Sequence, residues 1–342
     1  MKNVPGILLC LAVAVPAWFP GRLVPLVGGP VIAILAGMVI SGVMPNLAKI
    51  RVGKNGGFSD GLKFTSKKIL QYSIIFLGFG MNLHDVLIAG RASLVVMCVT
   101  FALVFAVAYL MGRRLGLTGN TATLIGVGTA ICGGSAIAAV APVIRADDDD
   151  VTKAISTIFL FNVIAVFVFP PLGHVMGMND AAFGMWSGTA ITDTSSVVAA
   201  GTAWSVEAGN DDALEFATVV KLTRTLLIVP IALFLAMRTA GKMKTRGAAN
   251  FSFAKVFPWF ILLFVAAVLS RTFLPMPENA ARILGTAGKF GIVMAMSAIG
   301  LNTNLKALFS HGIKPLALGC VCWPVITLVT LAVLRFPAPI FV

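Results

Sequence analysis

The sequence predicts an all-α polytopic membrane protein of about ten to eleven transmembrane helices, and three observations carry that prediction. Of 342 residues, 58% are apolar and 11% charged, and the mean hydropathy is +0.96. Soluble domains carry about 25% charged residues to cover their surface, whereas surface facing lipid needs almost none. The apolar residues also fall in runs of about 20, the length that crosses a bilayer core. Finally, the basic residues collect in a few loops between those runs, as they do on the cytoplasmic side of membrane proteins. Disordered, collagenous and disulfide-scaffold classes are excluded, and residues 1–342 read as a single transmembrane domain.

The first run, Ile7–Phe19 behind Lys2, reads as a membrane helix and not as a signal peptide. It ends in Pro20-Gly21-Arg22 without a small-x-small cleavage site, and a second run, Val27–Met44, follows at once. Further spans read at 69–83, 92–111, 119–143, 154–172, 183–204, 216–237, 256–274, 283–304 and 316–334. Between spans two and three stand Lys49, Arg51, Lys54, Lys63, Lys67 and Lys68; Arg113-Arg114 follow span four, and Arg238, Lys242, Lys244, Arg246 and Lys255 follow span eight. Positive-inside bias places these three clusters in the cytoplasm. The acidic loops, Asp147 to Asp150 and Glu207 to Glu215, then fall outside, with the N-terminus in the cytoplasm. The net charge of +13 is thus topological information, not a sign of nucleic-acid binding.

Two pairs of segments resemble each other. Leu77 to Leu83, followed by Gly90-Arg91, is similar to Ala298 to Thr303, followed by Gly312 to Lys314, and the two copies run in opposite directions, as inverted repeats require. Repeat-like halves lie at about 23–172 and 180–335. The second pair, Gly128 to Ala136 and Gly188 to Ser196, is sharper, yet spans five and seven run the same way. Two explanations stand open: one segment is re-entrant, or both need small residues where helices cross.

Residues 126–135, Gly-Val-Gly-Thr-Ala-Ile-Cys-Gly-Gly-Ser, hold four glycines inside one apolar run, where each weakens a helix. The expectation is an unwound stretch in which Gly128, Thr129, Cys132, Gly133, Gly134 and Ser135 line an anion site at half-helix N-termini. The competing reading is a small-residue packing face. In the second segment Asp193 is an intramembrane carboxylate, which costs about 2.5–3.5 kcal/mol to insert and marks a functional candidate. Its neighbours Thr192, Thr194 and Ser195 suit an oxyanion or a Na⁺ ion, and the competing reading is a helix cap. Lys221 and Arg224 share one face of span eight. They need an anionic partner, either Asp193 or a transported anion, unless they snorkel to the interface. Lys289 is a lesser candidate, and His84, His174 and His311 are scattered and receive no role. The Asp147 to Asp150 run reads as a solvated loop. Cys10, Cys98, Cys132, Cys320 and Cys322 all lie in apolar runs and read as buried free thiols; no metal set forms and no cofactor is implied.

With these residues in view, the sequence resembles the YeiH-type family of bacterial inner-membrane proteins labelled sulfate exporters. The resemblance is carried by GVGTAICGGSAIAAVAP at Gly126 to Pro142, GTAITDTSSVVAAG at Gly188 to Gly201, Lys221 with Arg224, Phe257-Pro258-Trp259, and Gly300 to Thr303 leading to Lys314-Pro315-Leu316. It implies membership of the cation/proton antiporter and anion transporter group, with inverted repeats and broken, crossing helices at the midplane. Family members carry His before the acidic residue of the second segment; Thr192 stands there in this chain, so a His-mediated proton relay does not carry over.

The expected function is a secondary transporter, an exporter of a small anion such as sulfate or a sulfonate, coupled to H⁺ or Na⁺. The alternative is a cation/proton antiporter with Asp193 as carrier and Lys221 as its counter-charge. Partners are then the anion, the coupling ion, the lipid bilayer and a second copy in a homodimer, with no nucleic acid. The expected location is the inner membrane, multi-pass. An enzyme is not expected: HExxH, paired catalytic carboxylates and a Walker loop are all missing from the sequence.

Overall fold

A computed structural model describes residues 3–19, 28–44, 58–228, 230–231, 234–235, 259–274, 276–303 and 312–335. Among them the regular elements are helical: α1 (Val4–Trp18), α2 (Gly28–Val43), α3 (Phe58–Phe64), a π turn at Thr65–Ile69, α4 (Leu70–Gly78), α5 (Leu83–Arg114), α6 (Gly119–Ala130), α7 (Gly134–Ile144), α8 (Asp148–Val175), α9 (Asp180–Ala190), α10 (Thr194–Ala208), α11 (Asp212–Leu226), α12 (Phe260–Phe273), α13 (Glu278–Asn302) and α14 (Ile313–Arg335). The all-α polytopic prediction holds. Among the described residues, α5, α8, α13 and α14 are each long and apolar enough to cross a membrane. Side-chain oxygens of Asn82, Asp147 and Asn179 accept first-turn N–H groups and fix where α5, α8 and α9 begin.

The segments 119–143 and 183–204 differ from through-going spans. Thr118 and Thr121, at the start of α6, both donate to Asp150 in the first turn of α8, Thr118 at 2.6 Å. Only three residues separate the end of α7 from the start of α8. Both ends of the α6–α7 pair therefore lie on one side, and the pair is a re-entrant hairpin. At the far end of α8, Trp204 Nε1 donates to Asp180 Oδ1 at 2.6 Å and Asn210 Nδ2 to Asp180 Oδ2 at 2.9 Å. Asp180 opens α9, while Trp204 and Asn210 close α10, so α9–α10 is a second hairpin entering from the opposite side. Arms of 12 and 11 residues in the first hairpin reach about 16–18 Å, roughly halfway through a bilayer core.

This geometry moves one loop. Asp147 to Asp150, expected on the side opposite Arg113-Arg114, lies on the same side, because the hairpin between them returns to its side of entry. We call the two ends the Arg113 side and the Asp211 side. Lys2, Lys49, Arg51, Lys54, Arg238, Lys242, Lys244, Arg246, Lys255, Phe257, Pro258 and His311 lie outside the described residues.

The helices sort into two bodies. In the first, α13 packs against α2 and α4, with α1, α3 and α12 around them. The approach of α2 to α13 is close enough that a Cβ on Gly37 would lie 2.7 Å from Ser297 O. The second body holds both hairpins with α5, α8, α11 and α14, and α10 forms its main contact with α2 and α13 of the first. The cysteines are free, as expected, but Cys98 and Cys320 are exposed while Cys10, Cys132 and Cys322 are buried.

Candidate functional site

The two hairpin tips meet in the middle of the second body. At the first tip α6 ends at Ala130 and α7 begins at Gly134, and Gly133 turns the chain with φ 67° and ψ −132°, a conformation open to glycine. Of the four glycines, Gly126 and Gly128 stay helical. A Cβ on Gly126 would lie 2.9 Å from Ala108 Cβ, and one on Gly128 2.9 Å from Ile137 and Ile158, so these two serve packing. Gly133 carries the break, and the unwound stretch is shorter than 126–135. At the second tip α9 ends at Ala190 and Asp193 caps α10, accepting from Ser195 N at 3.0 Å and from the Ser195 hydroxyl. The capping role weighed for Asp193 is therefore present, and its side chain is half-buried.

Asn162, in the middle of α8, ties the tips together. Its Oδ1 accepts from Thr192 N at 3.0 Å, Thr192 Oγ1 at 2.8 Å and Asp193 N at 3.0 Å. A Cβ on Gly133 would lie 3.6 Å from both Asn162 Nδ2 and Asp193 Cα. The sequence reading missed Asn162. Its signal was present as a lone amide between Phe161 and Val163 inside an apolar span.

Lys221 and Arg224 project from α11 to the same tips, 0% and 1% exposed, which excludes snorkelling. Lys221 Nζ donates to Ile131 O at 2.9 Å and to Ile191 O at 3.1 Å, equivalent carbonyls just past the ends of α6 and α9. Arg224 Nε donates to Ala130 O at 2.6 Å and Nη2 to Thr129 O at 2.5 Å, while the buried Nη1 has no hydrogen-bond partner among the described residues. The last carbonyls of a helix have no partner within it and carry its negative dipole end. Buried at this depth they are satisfied by the two basic side chains. Of the two expected partners, Asp193 or a transported anion, Asp193 is not the one these bonds engage; backbone carbonyls take its place.

Thr129, Cys132, Gly133, Thr192, Asp193, Ser195, Lys221 and Arg224 come together around the tips. Gly134, Ser135 and Thr194 lie at the first residues of the outgoing arms. Gly134 faces open space, with nothing within 4 Å of an added Cβ; Ser135 is exposed and Thr194 half-buried. Gly128 sits back in the packed arm. No group of three or more His, Cys, Asp or Glu residues forms a metal site among the described residues.

Comparison with known proteins gives one consistent result. The profile of the family described as Conserved hypothetical protein 698 matches residues 5–319. A UPF0324 membrane protein of Streptococcus pyogenes serotype M18 is 48% identical over 336 residues, covering 97% of this chain and 96% of its own. One from Fusobacterium nucleatum is 44% identical over 341 residues, covering 95% and 96%, and one from Streptococcus mutans is 45% identical over 336 residues, covering 96% of each.

Proposed function

This chain belongs to the UPF0324 family of membrane proteins, and from that premise we propose that it is a secondary transporter of a small anion such as sulfate or a sulfonate, coupled to H⁺ or Na⁺. The observation that carries the reading is the meeting of two oppositely inserted hairpins beside buried Lys221 and Arg224, which hydrogen-bond backbone and not a carboxylate. The charges at the tips favour an anion. Each half-helix end contributes about half an elementary charge, positive at the starts of α7 and α10 and negative at the ends of α6 and α9, so the four cancel. Two basic side chains, Lys221 and Arg224, stand against one carboxyl group, Asp193, at the tips, an excess of basic groups that suits a small anion. The open start of α7 presents backbone N–H groups suited to an oxyanion.

Opposed hairpins also account for the likeness of residues 128–139 and 188–199, since two copies inserted from opposite sides are related as inverted repeats. The cation/proton antiporter alternative relied on Lys221 as counter-charge to Asp193, a pairing that the Lys221 hydrogen bonds to Ile131 O and Ile191 O do not supply. The YeiH-type sulfate exporter resemblance supports the anion reading at the level of family. A homodimer in the bacterial inner membrane, with the Arg113 side and the N-terminus cytoplasmic, completes the proposal.

Orientation has its own expected result. A cysteine placed at Asp148 labels with impermeant maleimide from the cytoplasmic side, as does one at Arg114, while one at Asp212 labels from outside. Opposite labelling of Asp148 and Arg114 would overturn the hairpin topology. Function is tested by thermal unfolding of purified protein with sulfate, a sulfonate, chloride, Na⁺ or Li⁺. A ligand that binds only the native state at a hundred times its Kd raises stability by about 2.7 kcal/mol. Stabilisation by sulfate or sulfonate is expected; stabilisation by Na⁺ or Li⁺ alone overturns the anion reading.

A further inference from the structure

The outgoing arms of the two hairpins are related by a sequence offset of 60, from Gly128 to Gly188, yet their burial is opposite. Ser135, Ala138 and Pro142 of α7 are exposed, a face with i, i+3, i+7 spacing. Their counterparts in α10, Ser195, Val198 and Thr202, are all buried. The α10 face is covered by the first body: Val198, Ala199 and Ala203 share one apolar cluster with Val31 and Ile34 of α2 and with Ile292 and Val293 of α13. Among the described residues the equivalent face of α7 has no such cover, and Gly134 looks onto open space.

At the outer end of α10 the bodies are joined by charge. Lys289 Nζ of α13 lies 2.6 Å from Oδ2 of Asp211, just beyond α10. Among the described residues it is the ion pair that joins the two bodies, since Lys153–Asp149 lies within α8 and His174–Glu207 within the second body. Beside it is a cavity of about 280 Å³ lined by Lys289, Asp211, Asn210, Thr202, Ser205 and Trp18 among others. Ser205 Oγ, on this cavity wall, is buried without a hydrogen-bond partner among the described residues, an arrangement that costs free energy unless a polar group meets it in another state. Thr202 and Ser205 follow Ser195 by seven and ten residues, so they continue the same side of α10 from the Asp193 tip toward the Asp211 side.

We propose that the Lys289–Asp211 pair is the gate that closes the Asp211 side of the path, that the path on this side runs along α10 past Thr202 and Ser205 into the cavity, and that the state described here is open along α7 toward the Arg113 side. The inference rests on the transporter reading for its purpose, while its geometry stands on burial and contact alone. In the opposite state the face of α10 separates from α2 and α13, the ion pair parts, and the face of α7 is covered. A two-state element of this kind shifts with any change that favours one state's contacts.

The test uses full-length protein in sealed membrane vesicles, with reporter thiols at Ser135→Cys and, separately, Ser205→Cys, labelled by impermeant maleimide from either side. With the gate intact, Ser135→Cys labels fast from the Arg113 side and Ser205→Cys slowly from the Asp211 side. Asp211→Asn raises the Ser205→Cys rate about fivefold or more and lowers the Ser135→Cys rate. The charge swap Asp211→Lys with Lys289→Asp restores the original rates, which a merely misfolded variant would not do. Unchanged rates in Asp211→Asn, or a rise at both reporters together, overturn the proposal. Labelling needs no substrate, so loss of the anion reading in the thermal experiment and loss of the gate are separate outcomes.

Discussion

Replacing Arg224 with Leu is expected to lower the protein's stability by a substantial share. The side chain is 1% exposed and holds two backbone carbonyls, Ala130 O at 2.6 Å and Thr129 O at 2.5 Å. Hydrogen bonds to a charged group contribute about 1.5–3 kcal/mol each, so the pair is worth about 3–6 kcal/mol. Typical domains have only about 5–15 kcal/mol in total. Leucine also leaves the negative end of α6 without its compensating charge, in a place water does not relieve. Against this, removal of a buried cation relieves an insertion cost of about 2.5–3.5 kcal/mol, so these two terms together leave a net loss of up to about 3 kcal/mol. Arg224→Lys keeps the charge but not the fork and is expected to lie between the two. The measurement is the unfolding midpoint of detergent-purified protein. An Arg224→Leu variant that is monodisperse with an unchanged midpoint would remove the carbonyl-binding role and reopen the case for Arg224 as an anion ligand alone.

Arg224 also marks where sequence reasoning stopped. That Lys221 and Arg224 share a face follows from helical spacing, and that they need a partner follows from charge at membrane depth. The partner itself was out of reach, because a backbone carbonyl has no letter in the sequence; it becomes available only where a helix ends in the interior. The ends of α6 and α9 were hidden for a related reason. Hydropathy measures the length of an apolar run, and runs such as 119–143 and 183–204 satisfy it either as one crossing or as two half-crossings. What separates the cases is local: Gly133 at positive φ in the first run, and Asp193 as a cap in the second. The likeness of the two segments was legible, and so was its conflict with parallel spans. The re-entrant alternative holds for both copies, not one. Asp150, which pins the first hairpin to α8, was read as part of a solvated run because its three acidic neighbours are indistinguishable from it in sequence; it is buried and bonded to Thr118 and Thr121.

Gly133→Val is expected to break the first tip, and Gly134→Ala, one residue on, to leave it standing. Gly133 has φ 67° and ψ −132°, a conformation that costs any other residue about 1–3 kcal/mol and a β-branched one more. Space is short as well: a Cβ there would lie 3.4 Å from Ile158 Cγ2 and 3.6 Å from Asn162 Nδ2 and Asp193 Cα, so the methyls of valine collide with the second tip or with the amide that holds it. A total loss of about 3 kcal/mol or more is expected, by strain and overpacking together. Gly134, by contrast, has nothing within 4 Å of an added Cβ and no positive φ, so Gly134→Ala should stay within about 0.5 kcal/mol of the parent. Its methyl stands beside the first N–H groups of α7, where the proposed anion approaches. Gly134→Ala therefore separates fold from function: the unfolding midpoint without ligand stays in place, while the stabilisation by sulfate or a sulfonate shrinks. A Gly133→Val protein with the parental midpoint would show that the tips do not touch as described, and a Gly134→Ala protein with undiminished anion stabilisation would place the anion away from the start of α7.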